Sequence, residues 1–553
     1  MAAFGNVAQE IAQTSSKAAK VRLLAGYLAG LRGESLCLAA RYFGGRPFPS
    51  WDQRVVGIGG ATFFHVLRDV SGASDEALVA AFRRTGDGGE AAYDVLGLVL
   101  GDGGVELTDV DLAFDQIACA RGIAARQAAF ADLLRRCSAL EAKYVCKLMT
   151  GELRIGLREG LVEEAIGVAF AQPAAAVSRA NMVAGDLGRV AILASANTLD
   201  DATPVLFAPM RFMLASPVAD SDEVISRLGD VVWVEDKYDG IRCQLHRDDS
   251  RIELYSRDLK TITAQFPEIA EAAAALPFSQ LILDGEVLAF RDNRVMPFAA
   301  LQTRLGRKSP SAAVRQEVPV IYVAWDVLMV DGDVLLDTPL RDRRRRLEEM
   351  KLGDIFALAH LTSVTGATEL DAVFDAARAR LNEGLMVKDP ASPYLPGRRG
   401  LHWLKLKRPL DTLDVVVTGA QWGYGKRHGV LSDVTFSVRA DDGDLLPVGK
   451  AYTGLTDAEI AEMTSLLLEQ TIDVAGSYHA VAPLIVLEVA FDSVQPSTRH
   501  RGGYALRFPR IVAWRRDKSV EDIDSLDRVR TISEARARDF DQLIERGGST
   551  PGS

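Results

Sequence analysis

The sequence predicts a protein with three folded domains: an all-α domain, an α+β domain and a small β-barrel. This fold class follows from helical periodicity over residues 1–208, strands mixed with helices over 209–408, and closely spaced strands over 409–540. The length of 553 residues agrees with three or four domains of about 150 residues each. Residues 541–553, which end in a Gly/Ser/Pro-rich stretch, are expected to form a disordered tail.

The all-α domain is predicted from an apolar stripe and from signals for helix ends. The stripe consists of Val21, Leu24, Leu28 and Leu31, which recur at helical spacing. Ser138 and Glu141 have the spacing of a capping box, and Gly151 is expected to end the helix that they begin. Residues 161–169 predict a further helix that ends before Pro173.

Strands and helices are mixed in the second domain, whereas strands dominate the third. Strands of the second domain are predicted at 243–246, 251–255, 281–290 and 318–325, with helices at 266–276 and 371–381. Strands of the third domain are predicted at 414–418, 434–439, 445–451, 484–491 and 511–515. One helix, with Thr456 and Glu459 as its capping box, interrupts them. Five strands around one helix predict a closed barrel of the OB type.

Composition argues against several classes of protein. The chain is 48% hydrophobic and has no apolar run near the roughly 20 residues that cross a bilayer. The five cysteines are scattered and form no C-x-x-C pair, which argues against a zinc module and against a disulfide framework. We therefore expect a cytoplasmic protein that does not bind membranes. The net charge of −11 argues against indiscriminate coating of nucleic acid, but local basic surfaces remain compatible with it.

The central candidate for chemistry is Lys237, in the segment Glu-Asp-Lys-Tyr-Asp-Gly-Ile-Arg at 235–242. A valine-rich strand runs into this segment and a second strand leaves it, which places Lys237 at a strand end beside a tight Asp-Gly turn. An outward-facing amine can act as a nucleophile if its surroundings lower its pKa. On these residues alone, a surface lysine beside an ordinary turn remains the alternative.

Acidic, aromatic and basic residues near later strands could complete a site around this lysine. Period two puts Asp284 and Glu286 on one face of a strand, and the glycine between them would let a ligand approach closely. An acid in an apolar strand needs a partner, which could be a ligand hydroxyl, a metal or an arginine. Trp325 offers a face for a base or else belongs to the core. Glu383 repeats the pattern of acid, glycine and strand, and Arg257 follows a strand.

Two basic segments would suit phosphate groups. Lys405 and Lys407 alternate with leucines, so both ammonium groups project from one sheet face, where a triphosphate could bind. Arg399 lies in a basic loop before this strand. Residues 507–518, at the last strand of the barrel, carry five basic side chains against one acid. An edge strand guarded by lysines and a solvated surface are the respective alternatives.

Taken in order, these segments resemble the motifs of covalent nucleotidyltransferases, the superfamily of ligases and capping enzymes. The motifs are KYDGIR, YSRD, LDGEV, AWDVL, EGLMVK and WLKLK, and LRFPRIVAWRRDK resembles the final motif on the OB domain. Residues 143–156 resemble the DNA-binding domain of replicative-type ATP-dependent DNA ligases, and Pro209-Met210 is consistent with it. The chain is therefore identified as a member of the ATP-dependent DNA ligases over nearly its whole length.

The resemblance implies a function for each domain. Residues 1–208 would bind DNA, 209–408 would form the adenylation (nucleotidyltransferase) domain, and 409–540 would form the OB-fold domain. ATP and Mg²⁺ would be required, and the partner would be nicked duplex DNA. AMP would pass from ATP to the lysine, then to the 5′-phosphate, before the 3′-hydroxyl displaces it. We expect a monomer. A sliding clamp stays an open alternative as a partner, although no segment resembles a clamp-binding peptide.

The resemblance also assigns roles to individual residues. Lys237 would be the nucleophile, and Glu235 would recognise the adenine amino group. Further contacts to ATP would come from Arg242, Arg257, Glu286, Trp325, Arg399, Lys405 and Lys407; many relatives have Phe in place of the tryptophan. Mg²⁺ would be held by Glu286 and Glu383. After closure of the barrel over the site, pyrophosphate would be oriented by Arg510, Arg516, Asp517 and Lys518.

Four alternatives are less consistent with the sequence. A capping guanylyltransferase would lack a helical domain of 200 residues, and an RNA ligase would lack both this domain and the last motif. An NAD-dependent ligase would carry a four-cysteine zinc module, for which the cysteines are too dispersed. A DNA-binding clamp without activity is disfavoured because every expected catalytic residue is present.

Overall fold

In a computed structural model of the chain, the described residues are 1–534 apart from 152, 250, 293, 297, 308, 380–381, 383, 408–410, 424–426 and 428. The predicted tail at 541–553 lies outside them. Packing divides the chain into two compact units, of which the first comprises 1–371 and 385–406 and the second 372–384 and 407–553. Within the described part of the chain, none of the helices combines the length and apolar character needed to cross a bilayer.

The N-terminal region of the first unit is helical, as predicted. Its helices are α1 (Ala2–Gln13), α2 (Lys17–Ala29), α3 (Gly33–Phe43), α4 (Gly60–Ser71), α5 (Asp75–Thr85), α6 (Gly88–Leu96), α7 (Leu107–Cys119), α8 (Ile123–Arg136), α9 (Ala139–Met149), α10 (Glu159–Ala169), α11 (Ala174–Ala184) and α12 (Leu187–Ala196). The capping box is confirmed, because the Glu141 amide donates to Ser138 Oγ and the Ser138 amide donates to the Glu141 carboxylate. Gly151, just after α9, has a φ of 72° that favours glycine at such a helix end.

The predicted apolar stripe of α2 is confirmed for its first three residues and wrong for the fourth. Val21, Leu24 and Leu28 are buried in the core of the helical region. Leu31 lies beyond the helix, because α2 ends at Ala29 and the Gly30 amide donates to carbonyls of the last turn. Leu31 still packs against the core from outside the helix.

The rest of the first unit is α+β, with two sheets among its described residues. Its strands are β1 (Leu214–Val218), β2 (Val231–Lys237), β3 (Ile241–Asp248), β4 (Arg251–Ser256), β5 (Gln280–Arg291), β6 (Arg294–Val295), β7 (Val320–Val330), β8 (Asp333–Val334), β9 (Phe356–Leu358), β10 (Leu361–Thr365), β11 (Gly384–Lys388) and β12 (Arg399–Lys407). Its helices are α13 (Ser221–Leu228), α14 (Pro267–Ala274), α15 (Phe298–Gln302), α16 (Ala312–Glu317), α17 (Leu340–Glu349) and α18 (Gly366–Ala379), the last of which extends into the second unit.

Strand order separates the two sheets clearly. Sheet A has the order β1-β12-β11-β2-β10, and sheet B has the path β4-β3-β5-β7-β8, with β6 on β5 and β9 on β7. The predicted hairpin is confirmed, because β3 and β4 pair antiparallel from Cys243 to Asp248. One apolar core lies against sheet B and includes Leu245, Phe266, Leu283 and Tyr322.

The second unit is rich in strands, but the expectation of five is wrong. Its strands are β13 (Asp411–Trp422), β14 (Leu431–Arg439), β15 (Leu445–Ala451), β16 (Thr471–Ala475), β17 (Tyr478–Val481), β18 (Val486–Phe491), β19 (Ser493–Pro496), β20 (Tyr504–Arg507) and β21 (Arg510–Trp514). β16 and β17 form a short hairpin that turns at Gly476, where φ is 64°. Sequence alternation misses β16 because most of its side chains are exposed on both faces.

A long strand and one helix organise the core of this unit. β13 pairs with β14, β17 and β18, which brings apolar side chains from all of them into one cluster. The helix is α19 (Asp457–Glu469), and the predicted capping box of Thr456 and Glu459 is confirmed at its start.

Candidate active site

Lys237 lies where the chain passes from one sheet to the other. It is the last residue of β2 in sheet A, and the turn at 238–240 leads directly into β3 of sheet B. A Cβ on Gly240 would lie 2.5 Å from the Val287 carbonyl oxygen and 2.8 Å from Glu286 Cγ. Such contacts are too short for any side chain, so glycine allows this turn to pack directly onto β5. The turn that follows Lys237 therefore lies beside Glu286.

Asp284 has the arginine partner that an acid in an apolar strand requires. Its side chain is fully buried. Arg242 on β3 donates from Nε to Asp284 Oδ1 at 3.1 Å and from Nη2 to Oδ2 at 2.7 Å, and Tyr394 Oη donates to Oδ2 at 2.8 Å. The third arginine donor, Nη1, bonds to the Met213 carbonyl at 2.8 Å. Arg242 is thus held rigidly on the face that it shares with Glu286.

The expectation that Gly285 lets a ligand approach its strand is wrong. A Cβ on Gly285 would lie 2.4 Å from the Val323 carbonyl oxygen and 2.6 Å from Cε1 of Tyr322. Because side chains alternate along a strand, this position faces away from Asp284 and Glu286. The glycine accommodates a core tyrosine, whose hydroxyl donates to the Cys243 carbonyl at 2.8 Å.

Glu235 forms a buried ion pair that sequence reasoning missed. It is 3% exposed on β2, and Lys388 Nζ, 1% exposed at the end of β11, lies 2.5 Å from Glu235 Oε2. Burial raises the pKa of Glu235, whereas attraction to Lys388 opposes that shift. Arg344 Nη1 lies 3.7 Å from the other oxygen, Oε1. The motif Glu-Gly-Leu-Met-Val-Lys contains Lys388, but its spacing alone does not indicate which acid the lysine meets.

Trp325 lies mostly inside an apolar cluster instead of forming an open ledge. It is 9% exposed on β7 and shares the cluster with Met210, Met213 and Trp403. The ring centroid is 5.4 Å from the Arg242 guanidinium carbon and 5.8 Å from Lys388 Nζ. The alternative of a core residue is therefore confirmed. The ring also lies beside Arg242 and Lys388, and its use as a face for a base stays a prediction.

The predicted phosphate-binding residues lie on strand β12 and in the loop after β4. Lys405 and Lys407 on β12 are half-buried, and the leucines between and before them are buried, as alternation predicted. Arg399 begins β12 and is exposed, and Arg257 is exposed in the loop after β4. Glu383 lies outside the described residues. Among the residues that are described, no three His, Cys, Asp or Glu side chains cluster as metal ligands.

The predicted barrel residues belong to the second unit, where three of them form ion pairs. Arg516 donates to both oxygens of Glu462, at 2.8 and 2.6 Å. Asp517 accepts from Arg515 at 3.0 and 2.7 Å, which lowers the pKa of Asp517 to about 2. Lys518 Nζ donates to Asp414 at 2.5 Å. Arg510, the fourth predicted residue, is exposed at the start of β21.

The first unit thus brings together two sets of charged side chains. Sheet A carries Glu235, Lys237, Lys388 and Lys405, and sheet B carries Arg242, Asp284, Glu286 and Trp325. The turn at 238–240 connects the two sets. Chemically, the arrangement offers a primary amine at a strand end, a carboxylate beside the turn that follows it, and several cations that could stabilise phosphate charge.

Comparisons with known proteins match these regions in order. Residues 1–167 match a family model described as DNA ligase N terminus, residues 212–407 an ATP dependent DNA ligase domain, and residues 427–518 an ATP dependent DNA ligase C terminal region. A protein of Koribacter versatilis described as a probable DNA ligase is 42% identical, over 99% of each chain. One of Opitutus terrae with the same description is 41% identical over 97% of this chain, which spans 62% of that relative. A solved structure titled Pmar-Lig_PreS3 has the same fold, with a TM-score of 0.57 at 15% identity over 93% of this chain and 99% of its own.

Proposed function

The chain belongs to the family of ATP-dependent DNA ligases, which seal nicks in duplex DNA, and from this premise we propose which of its residues carry each part of the reaction. We propose that Lys237 is the nucleophile. The observation that carries this proposal is its position at the end of β2, where the turn through Gly240 packs onto the strand that holds Glu286. A lysine amine at the junction of two charged sheets has access to a ligand bound between them.

The reaction would proceed by three displacements at phosphorus. Lys237 Nζ, after loss of a proton, attacks the α-phosphorus of ATP, so that a P–N bond forms and the P–O bond to pyrophosphate breaks. An oxygen of the 5′-phosphate at the nick then attacks the same phosphorus, which breaks the P–N bond and forms a DNA-adenylate. Finally the 3′-hydroxyl attacks the 5′-phosphate, loses its proton and releases AMP. Each step depends mainly on positioning and on neutralising charge.

Glu235 is suited to bind the exocyclic amino group of adenine. Lys388 bonds to Oε2, and the more distant Arg344 leaves lone pairs of Oε1 able to accept a further hydrogen bond. Lys388 also favours the charged form of Glu235 against the cost of burial. We propose that Trp325, close to both Lys388 and Arg242, stacks on the base.

Positive charge is available for the phosphates of ATP. We propose that Lys405 and Lys407, on one face of β12, contact the α-phosphate, with Arg399 at the start of the same strand. Arg242 and Arg257 would contact the ribose and phosphates from sheet B. Arg242 is already oriented by its two bonds to Asp284, so binding would cost little side-chain entropy.

One carboxylate on sheet B, that of Glu286, is of the type that Mg²⁺ prefers. This ion is typically bound by one or two carboxylates together with phosphate oxygens of the substrate. Glu286 is half-buried beside the turn that follows Lys237, and we propose that it holds Mg²⁺ together with Glu383. Bound there, the ion would neutralise charge that develops on the phosphates. The two carboxylates would orient it, and Glu286 would also bind the ribose.

The other domains would serve the same reaction. We propose that 1–208 bind the DNA backbone, that 209–408 carry adenylation, and that Arg510, Arg516, Asp517 and Lys518 on the barrel at 409–540 orient pyrophosphate. The ion pairs of Arg516 and Lys518 with Glu462 and Asp414 hold these side chains in defined positions on their own unit.

The proposal is tested by incubating the protein with α-labelled ATP or α-labelled GTP and Mg²⁺, then measuring label that survives denaturation. We expect label from ATP that chases onto nicked DNA. Lys237→Ala should abolish it, whereas Lys351→Ala, at an exposed lysine of the same unit, should not. Label from GTP alone would instead indicate capping chemistry. Label that persists in Lys237→Ala would contradict the assignment of the nucleophile.

A further inference from the structure

Arg257 lies in a tight loop that follows strand β4 of sheet B. The Arg257 loop, residues 256–261, is closed by the Leu259 amide, which donates to the Ser256 carbonyl at 2.8 Å, and by the Ser256 amide, which donates to the Lys260 carbonyl at 2.9 Å. Leu259 has a φ of 60°, a left-handed conformation that is unfavourable for leucine. Such a conformation persists only where surrounding contacts hold it. The loop therefore needs support from outside itself.

Gln53 of the helical region supplies such support. Its Nε2 donates to the Leu259 carbonyl at 2.8 Å, and its Oε1 accepts from the Thr261 amide at 3.1 Å. A carbonyl and the amide two residues later point to the same side of an extended chain, so the carboxamide satisfies both as a neighbouring strand would. One side chain thus joins two regions that are 206 residues apart in sequence.

Gln53 is itself fixed to the helical region. Its Nε2 also donates to the Trp51 carbonyl at 2.8 Å, and Trp51 Nε1 donates to the Ala184 carbonyl, at the end of α11, at 3.1 Å. The neighbouring residue of α11, Val183, belongs to the apolar cluster that contains Trp325. Through Gln53, the helical region thus contacts the loop that carries Arg257. Through Val183, it also contributes to the apolar cluster that contains Trp325.

We propose that Gln53 is a positioning residue for ATP: by holding the Arg257 loop, it makes the helical region a determinant of nucleotide affinity. This inference rests on the proposed role of Arg257 in binding ATP. Gln53 does not touch the nucleotide. It acts by restricting the loop to the conformation from which the exposed Arg257 reaches a phosphate or ribose, so its loss weakens binding and leaves the chemical step unchanged.

The test is the single-turnover rate of self-adenylation of the full chain at varied ATP concentration in the absence of DNA. In this assay KM is the ATP concentration that gives half of the maximal rate, and kcat is the rate constant at saturating ATP. Gln53→Ala should raise the KM for ATP about tenfold, equivalent to about 1.4 kcal/mol, the size expected for partly exposed hydrogen bonds, and should leave kcat within about twofold. Gln172→Ala is the matched control. This glutamine also bonds through Nε2, to Phe170, Ala194 and Asn197, but only within the helical region. Its removal should leave KM unchanged.

A double-mutant cycle with Arg257→Ala separates this inference from the proposed function. Arg257→Ala should raise KM, and adding Gln53→Ala should raise it no further, because the loop then lacks the arginine that Gln53 positions. An unchanged KM in Arg257→Ala would refute the role of that arginine itself. Two results would overturn the inference about Gln53 alone, provided that Arg257→Ala raises KM. One is a KM that Gln53→Ala leaves unchanged. The other is a double variant whose KM increase equals the product of the two single increases.

Discussion

His246 makes the stability of the first unit depend on pH. Its side chain is fully buried on β3, where the Phe207 amide donates to Nδ1 at 3.0 Å and Nε2 lies 2.7 Å from Gln244 Oε1. The network fits only the neutral tautomer with hydrogen on Nε2, because a proton on Nδ1 would oppose the Phe207 N–H. Burial, with a smaller effect of the cation Arg251, lowers the pKa of His246 to about 3.

The free energy of unfolding should therefore fall in acid. The pKa is lower in the folded state than its ordinary value of 6.5, so the unfolded chain binds more protons between these two values. The contribution of His246 is fully present above pH 6.5 and is lost as the pH falls toward 3. At 1.36 kcal/mol per pKa unit, the loss is about 2 kcal/mol at pH 5 and approaches about 5 kcal/mol below pH 3.

The assay is urea unfolding at pH 8 and pH 5, followed by tryptophan fluorescence. His246→Asn replaces the ring with a group that does not titrate and whose oxygen can accept from the Phe207 amide. The stability lost between the two pH values should be about 2 kcal/mol smaller in this variant than in the parent chain. His360→Asn, at an exposed histidine of the same unit, should behave as the parent. Equal pH dependence in the parent and His246→Asn would refute the reasoning.

Two further predictions concern the candidate site. Gly240→Ala should reduce the rate of self-adenylation at least about 100-fold, because its Cβ would meet the Val287 carbonyl and displace the turn that follows Lys237. Gly26→Ala, where a Cβ meets nothing within 4 Å, is the control. A normal rate in Gly240→Ala would contradict the packing argument. Lys388→Met should lower the free energy of unfolding in urea by about 3–5 kcal/mol, because it leaves the buried Glu235 carboxylate without its lysine partner. Adding Glu235→Gln should recover more than half of this loss. If the second substitution recovers nothing, the lysine acts through packing alone.

Most of the local structure was predictable from sequence. The capping boxes at Ser138 and Thr456, the hairpin of β3 and β4, and the alternating lysines of β12 all depend on signals within a few residues. The same holds for the position of Lys237 at a strand end. Four strands of the second unit were missed, namely β16, β17, β19 and β20. Of these, β16 has little apolar alternation, because its exposed side chains leave no periodic signal.

The sequence by itself determined the fold class, the family motifs and the chemical types of the site residues, because helix caps, turns and strand periodicity are local properties of the chain. Only the tertiary structure decided which charges meet. Glu235 pairs with Lys388 across 153 positions, and Gln53 reaches a loop 206 positions away. Such pairings depend on the order of strands in a sheet and on how helices pack against it. These are set by the burial of the whole core, which no short segment encodes.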